Sequence, residues 1–156
     1  MGRYQPALLG GLFIGVVSSL PIVNMANMCC CLWVIAGGVL ATYLLQQNTP
    51  TPVATSEAAL QGLIAGAVGG VIVCLVQAAM ASVIGPMALD QIRSQLSSNN
   101  EIPPEMRDRI LGLLNGRNLV LLGLFITVPV HAVFALAGSL LGLAFFRKKL
   151  PPQPQA

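Results

Sequence analysis

Charged side chains divide this chain into three long uncharged stretches, at residues 4–56, 58–89 and 118–146. A helix needs about 20 apolar residues to cross a bilayer, so the first stretch fits two crossings and the others one each. Pro21, Asn24 and Asn27 favour a turn inside the first stretch. The pattern predicts four membrane-spanning helices, at about residues 6–22, 28–46, 57–84 and 118–146.

The third predicted span has a small side chain at every fourth position. Positions four apart lie on nearly the same face of a helix, and small residues there allow the close backbone approach that joins helices in lipid. The first span repeats the pattern more briefly. We therefore expect these faces to pack against other spans or against another copy: Ala58, Gly62, Gly66, Gly70, Cys74, Ala78 and Ser82 on the third span, and Gly11, Gly15 and Ser19 on the first.

The segment 87–117 is the only charged part of any length. Gly85-Pro86 is expected to end the third span, and Pro103-Pro104 to open a second short helix with apolar residues on one face. The prediction is an all-α fold: a four-helix membrane bundle, residues 1–150, with an amphipathic helical hairpin between spans three and four. The hairpin either docks a partner or rests on lipid headgroups. Residues 151–156 are predicted to be a disordered tail.

Composition supports a membrane protein and narrows the chemistry. Charged residues make up 8% of the chain, against about 25% in soluble domains. A net charge of +3 is too small to indicate nucleic-acid binding. The sequence has no zinc-type Cys/His spacing, phosphate loop or plausible catalytic triad. We expect no enzymatic activity and no cofactor.

The distribution of basic residues favours one orientation. Four spans place both termini on one side, where Arg147, Lys148 and Lys149 form a cluster undiluted by acids. The hairpin balances four basic residues with four acidic ones. By the positive-inside rule the termini are expected in the cytoplasm.

Two polar residues inside predicted spans are candidate functional groups. His131 lies near the middle of the fourth span, two residues after Pro129, and Gln77 lies in the third. An ionisable group at that depth suggests a proton relay, a metal ligand or a pigment ligand. The alternative is a neutral histidine hydrogen-bonded to a neighbouring helix, to the region of Thr127 or to a backbone carbonyl freed by Pro129, with Gln77 joining helices by a hydrogen bond.

Sulfur-bearing residues cluster at the start of the second span. Thiolate and thioether ligands select copper(I), although neither a CxxC nor an MxxM pattern is present. Palmitoylation, redox pairing and simple packing are the alternatives. The weak candidate metal ligands are Met25, Met28, Cys29, Cys30 and Cys31.

The order of these features resembles a bacterial family of small four-helix membrane proteins of unknown function. The resemblance rests on GGLFIGVVSSLPIVN followed by CCCLWVIAGG, on Pro104-Glu105-Met106 in the charged insert, and on the ending AGSLLGLAFFRKK. It implies the topology and a location in the bacterial inner membrane, and no catalytic residues.

Three functions follow as hypotheses. The first is a structural or accessory membrane protein that self-associates, or joins a larger complex, through its small-residue faces. The second is a transporter or channel component that uses His131, Gln77 and Pro129. The third is a pigment- or metal-binding subunit.

Overall fold

The computed structural model describes residues 2–20, 23, 27, 31–98, 103–113, 116–146 and 148, and the predicted disordered tail lies outside them. Regular structure in this described part is helical, which confirms the all-α class. The helices are α1 (Gln5–Ser19), α2 (Leu32–Asn48), α3 (Thr55–Ser98), α4 (Pro104–Leu113) and α5 (Gly116–Phe146).

Two of the four predicted spans are long and apolar enough to cross a membrane. They are Thr55–Met80 of α3 and Val120–Phe146 of α5. α1 is apolar but has 15 residues, and α2 has 17. At 1.5 Å per residue these two helices are only about 22 and 25 Å long, short of the roughly 30 Å of bilayer hydrocarbon. Two helices of full spanning length are therefore found where four were predicted.

The predicted break at Gly85-Pro86 does not occur, because α3 continues through Pro86 to Ser98. Proline removes one backbone N–H from the helix ladder, and here its ring is exposed and displaces no neighbouring helix. The first arm of the predicted hairpin is thus the end of α3, and α4 is the second arm. α5 begins at Gly116.

Contacts between small residues define how the helices are arranged. α3 and α5 are antiparallel, since residues 58, 62, 66 and 70 lie opposite 139, 135, 132 and 128 in turn. α1 runs parallel to α3, with Gly11 beside Ala65 and Gly15 beside Ile72. α2 is antiparallel to α1 and parallel to α5.

The molecule consequently has two regions of different construction. In the packed half, α1 and α2 lie against each other and against residues 55–72 of α3, and α2 also lies against residues 131–146 of α5. The core consists of Ala7, Ile14, Val34, Ala41, Ala65 and Ala135. In the two-helix arm, residues 73–98 of α3 and 116–130 of α5 extend beyond the end of α1.

Candidate functional site: the small-residue face and its buried polar groups

The small-residue row of α3 lies against α5 of the same chain. A Cβ atom added to Gly62 would lie 2.5 Å from the Ser139 Cβ, and one on Gly70 would lie 3.0 Å from the Val128 Cα. At Gly66 the added atom would meet the His131 carbonyl and the Ala132 backbone. Since only glycine fits between these backbones, the central part of the row is occupied within one molecule.

The last members of the row are packed less closely. Cys74 is buried, and its Sγ lies 3.9 Å from where a Cβ on Gly123 would be. Ala78 is half-buried and Ser82 is exposed, with its hydroxyl bonded to the Ala79 carbonyl of its own helix at 2.7 Å. Close packing thus fades along the two-helix arm.

The short row on α1 faces α3. A Cβ on Gly11 would lie 2.8 Å from the Ala65 carbonyl oxygen, and one on Gly15 2.5 Å from Ile72. Ser19 is half-buried and bonds the Gly15 carbonyl at 2.5 Å. Sequence reasoning missed Gly69, which occupies the other side of this contact, where a Cβ would lie 2.5 Å from Ile14.

A hydroxyl group joins three helices in the packed half. Ser139 of α5 donates its proton to the Ala58 carbonyl of α3 and lies 2.6 Å from the Thr42 hydroxyl of α2. A serine hydroxyl has one proton, so Thr42 is the donor in the second bond. Both side chains are fully buried. This junction was not predicted, because nothing in the sequence pairs Thr42 with Ser139.

Gln61 is the buried amide of α3, rather than Gln77. Its side chain is 1% exposed, and its Nε2 donates to the Arg3 carbonyl at 2.7 Å. Its Oε1 is buried without a partner. Gln61 falls four residues before Ala65 and eight before Gly69, on the face that meets α1, and that face is known only once the position of α1 is known. Gln77 itself is exposed.

His131 lies where α3 and α5 are in closest contact. Its Nδ1 is 2.9 Å from the Thr127 carbonyl, and its Nε2 is buried without a partner. A carbonyl only accepts, so Nδ1 carries the proton and Nε2 of the neutral ring is an acceptor.

The structure does not bring His131 and Gln77 together. The His131 side chain faces Gly70, and Gln77 lies seven residues further along α3, about 10 Å away along the axis. Pro129 is exposed, with its ring on the outside of α5. The three residues proposed for a polar pathway therefore do not line one site.

Of the sulfur cluster, only Cys31 lies within the described residues; Met25, Met28, Cys29 and Cys30 lie outside them. Cys31 is half-buried and precedes α2 with a left-handed backbone, φ 48°. Within the described ranges no three His, Cys, Asp or Glu side chains converge as metal ligands would.

Comparison with known proteins identifies no relative: no family model, no curated protein and no solved structure matches this chain. The resemblance to the small bacterial membrane family therefore stays a prediction.

Proposed function

We propose that this chain is an integral membrane protein with a structural or accessory role. The observation that carries the proposal is the distribution of side chains in α3 and α5. In the most apolar stretch of α3, 33% of the residues are buried, and in that of α5 only 6% are buried. A core helix of a soluble protein would be mostly buried. Large exposed apolar side chains on the outside of the packed half include Leu8, Leu12, Val16, Leu63, Val133 and Leu141.

In this proposal α1, α2, α3 and α5 all lie in the bilayer as a multi-pass bundle. α1 and α2 are short, but a bilayer thins locally around short spans at modest cost. The Arg3 carbonyl bonds Gln61 and the Lys148 ammonium bonds the Thr49 carbonyl, so both ends of the chain lie near the beginning of α3. These contacts support a common side for the two termini. That this side is the cytoplasmic side of a bacterial inner membrane is proposed from the basic cluster at residues 147–149.

The small-residue faces hold the bundle together in this view. Because α5 and α1 occupy them, contacts with other proteins use the outer helix faces. This changes the expectation that Gly62, Gly66 and Gly70 mediate assembly between molecules. Their role becomes the folding of the monomer, on which any assembly depends.

Membrane extraction tests the proposal. The tagged chain should remain in the pellet after alkaline carbonate washing and should enter solution only with detergent. A peripheral protein of the same membranes, released by carbonate, is the control. Release of the tagged chain by carbonate would contradict an integral location. Co-purification from native membranes then tests the accessory role, which predicts a defined set of bound proteins.

A transport role is a second candidate, supported by the unpartnered Nε2 of His131. A transport role requires water or a transported group to reach this Nε2 atom, and Gln77 does not contribute to the site. Flux and proton uptake in proteoliposomes should fall in His131→Ala and remain in Gln77→Ala. Equal fluxes in His131→Ala and the unchanged protein would dismiss this candidate. An absorption spectrum and metal analysis of the same preparations test the pigment and metal hypotheses.

A further inference from the structure

The two sides of the bundle expose apolar surfaces of different length. α1 and α2 lie beside each other on one side, and α3 and α5 lie beside each other on the other. We call the exposed apolar side chains of α1 and α2 the short face, and those of α3 and α5 the long face. The short face runs from Tyr4 to Leu20 along α1 and from Leu32 to Tyr43 along α2. At 1.5 Å per residue these stretches are about 24 Å and 16 Å long.

The long face extends much further along the bundle axis. Its exposed apolar side chains run from Leu60 to Met87 on α3 and from Leu121 to Phe146 on α5. These stretches are about 40 Å and 37 Å long, more than the roughly 30 Å of bilayer hydrocarbon. The short face is shorter than the same hydrocarbon by roughly 6 to 14 Å. The two faces therefore deviate from the bilayer thickness in opposite directions.

Polar groups fix both ends of the short face. Exposed polar side chains bound it at the end near the chain termini: Arg3, Gln47 and Asn48. At the other end, the Asn27 Nδ2 donates to the Ser18 hydroxyl at 2.8 Å, and the Trp33 Nε1 donates to the Val23 carbonyl at 2.9 Å. Asn27 and Val23, in the connection between α1 and α2, thus lie beside the ends of these helices and do not lengthen the apolar surface.

A bilayer of uniform thickness does not fit both faces. Tilting the bundle shortens the projection of all its helices together, so it improves the fit of the long face and worsens that of the short face. Lipid beside α1 and α2 has to thin instead, and thinning costs least for lipids whose acyl chains are already short.

We propose that the short face thins the bilayer beside α1 and α2 and binds phospholipids with short acyl chains in preference to those with long ones. This proposal rests on the membrane location proposed above, and it names the lipid that contacts one side of the bundle.

The single tryptophan of the chain allows a direct test, since Trp33 is half-buried on α2 within the short face. Bromine on an acyl chain quenches the fluorescence of a tryptophan that it contacts. The full chain is reconstituted in dioleoyl-phosphatidylcholine with equal mole fractions of brominated dimyristoleoyl- or brominated dierucoyl-phosphatidylcholine in separate samples. Quenching should show that the short lipid binds beside Trp33 about twofold or more tightly than the long lipid.

Moving the tryptophan to the long face provides the matched control. In Trp33→Phe/Phe125→Trp the fluorophore lies on α5, where Phe125 is 81% exposed. The preference for the short lipid should be absent at this position. Equal binding of the two lipids beside Trp33, or the same short-lipid preference at position 125, would overturn the proposal.

Lengthening the short face gives a second measurement. Gln47→Leu/Asn48→Leu extends the apolar surface of α2 beyond Tyr43 by about 7 Å at exposed positions, and helix content by circular dichroism should be unchanged. The preference for the short lipid beside Trp33 should then fall, and an undiminished preference would contradict a length-based cause. Carbonate extraction reports the membrane location separately, so an integral chain without lipid preference defeats this inference alone.

Discussion

The packed half and the two-helix arm share two helices but are held together differently. In the packed half, α3 and α5 approach so closely that a Cβ on Gly66 would meet the backbone of α5. In the arm the same pair leaves 3.9 Å between a Cβ on Gly123 and the Cys74 Sγ, an ordinary van der Waals distance. The comparison shows that glycine is needed for the close packing of α3 on α5 where four helices meet, and is not needed where only these two helices remain.

The buried polar groups follow the same division. Thr42, Gln61 and Ser139 are buried in the packed half, and each has a hydrogen bond to another helix or to the start of the chain. In the arm, Gln77 and Ser82 are exposed, and so are the rings of Pro86 and Pro129. Hydrogen bonds between helices and close glycine contacts hold the packed half together, whereas the two-helix arm exposes its surface to lipid or to a partner.

Adding one methyl group to a glycine should reduce stability most in the packed half. Gly66→Ala should lower the free energy of unfolding by about 2–3 kcal/mol, because the added Cβ meets the His131 carbonyl and the Ala132 backbone, which cannot move aside cheaply. The matched change in the arm, Gly123→Ala, should be neutral or stabilising by up to about 1 kcal/mol. Unfolding in mixed micelles gives both values. Equal losses would remove the distinction between the regions.

A smaller effect is expected at the hydroxyl junction. Ser139→Ala removes the bond to the Ala58 carbonyl and leaves Thr42 without its partner, so it should cost about 1 kcal/mol of stability. Ser82→Ala is the control, since that hydroxyl is exposed and bonds only its own helix. A double-mutant cycle with Thr42→Val should show coupling between Thr42 and Ser139. Additive losses would mean that the two hydroxyls do not interact.

The smallest effect is expected at the buried amide. Gln61→Leu loses the bond to the Arg3 carbonyl but also removes the unpartnered Oε1 atom, and hydrogen bonds between membrane helices average about 0.6 kcal/mol. The net loss in monomer stability should be about 0.5 kcal/mol, with no loss for Gln77→Leu. A cost above about 2 kcal/mol for Gln61→Leu would show that its Oε1 has a partner in the membrane.

The structure can be predicted from the sequence where a residue type allows only one kind of helix packing. The spacing of Gly62, Gly66 and Gly70 predicts a face for close packing, and the lengths of uncharged stretches predict α3 and α5. Prediction from the sequence fails where the outcome depends on another helix. Whether Gln61 or Gln77 is buried is decided by where α1 lies, and periodicity within α3 does not contain that information.

The other failures have local causes. Pro86 was expected to end α3, but a proline costs the helix one hydrogen bond, and the helical residues on both sides outweigh that cost. α1 and α2 are shorter than predicted, because an uncharged stretch sets only an upper limit on helix length. The Ser139 junction joins residues 97 positions apart in sequence, a pairing that requires the fold to be known.

Packing of the small-residue face of α3 on α5 of the same chain can be tested with one engineered disulfide. In a chain with Cys29, Cys30 and Cys31 replaced by alanine, Gly123→Cys places a second thiol next to the native Cys74, whose Sγ lies 3.9 Å from the new Cβ. Mild oxidation should produce a monomer with an internal Cys74–Cys bond, shown by the linked peptide in mass spectrometry. Gly112→Cys is the control, since nothing lies within 4 Å of a Cβ there. Two free thiols, or a bond that joins two chains instead, would contradict the account.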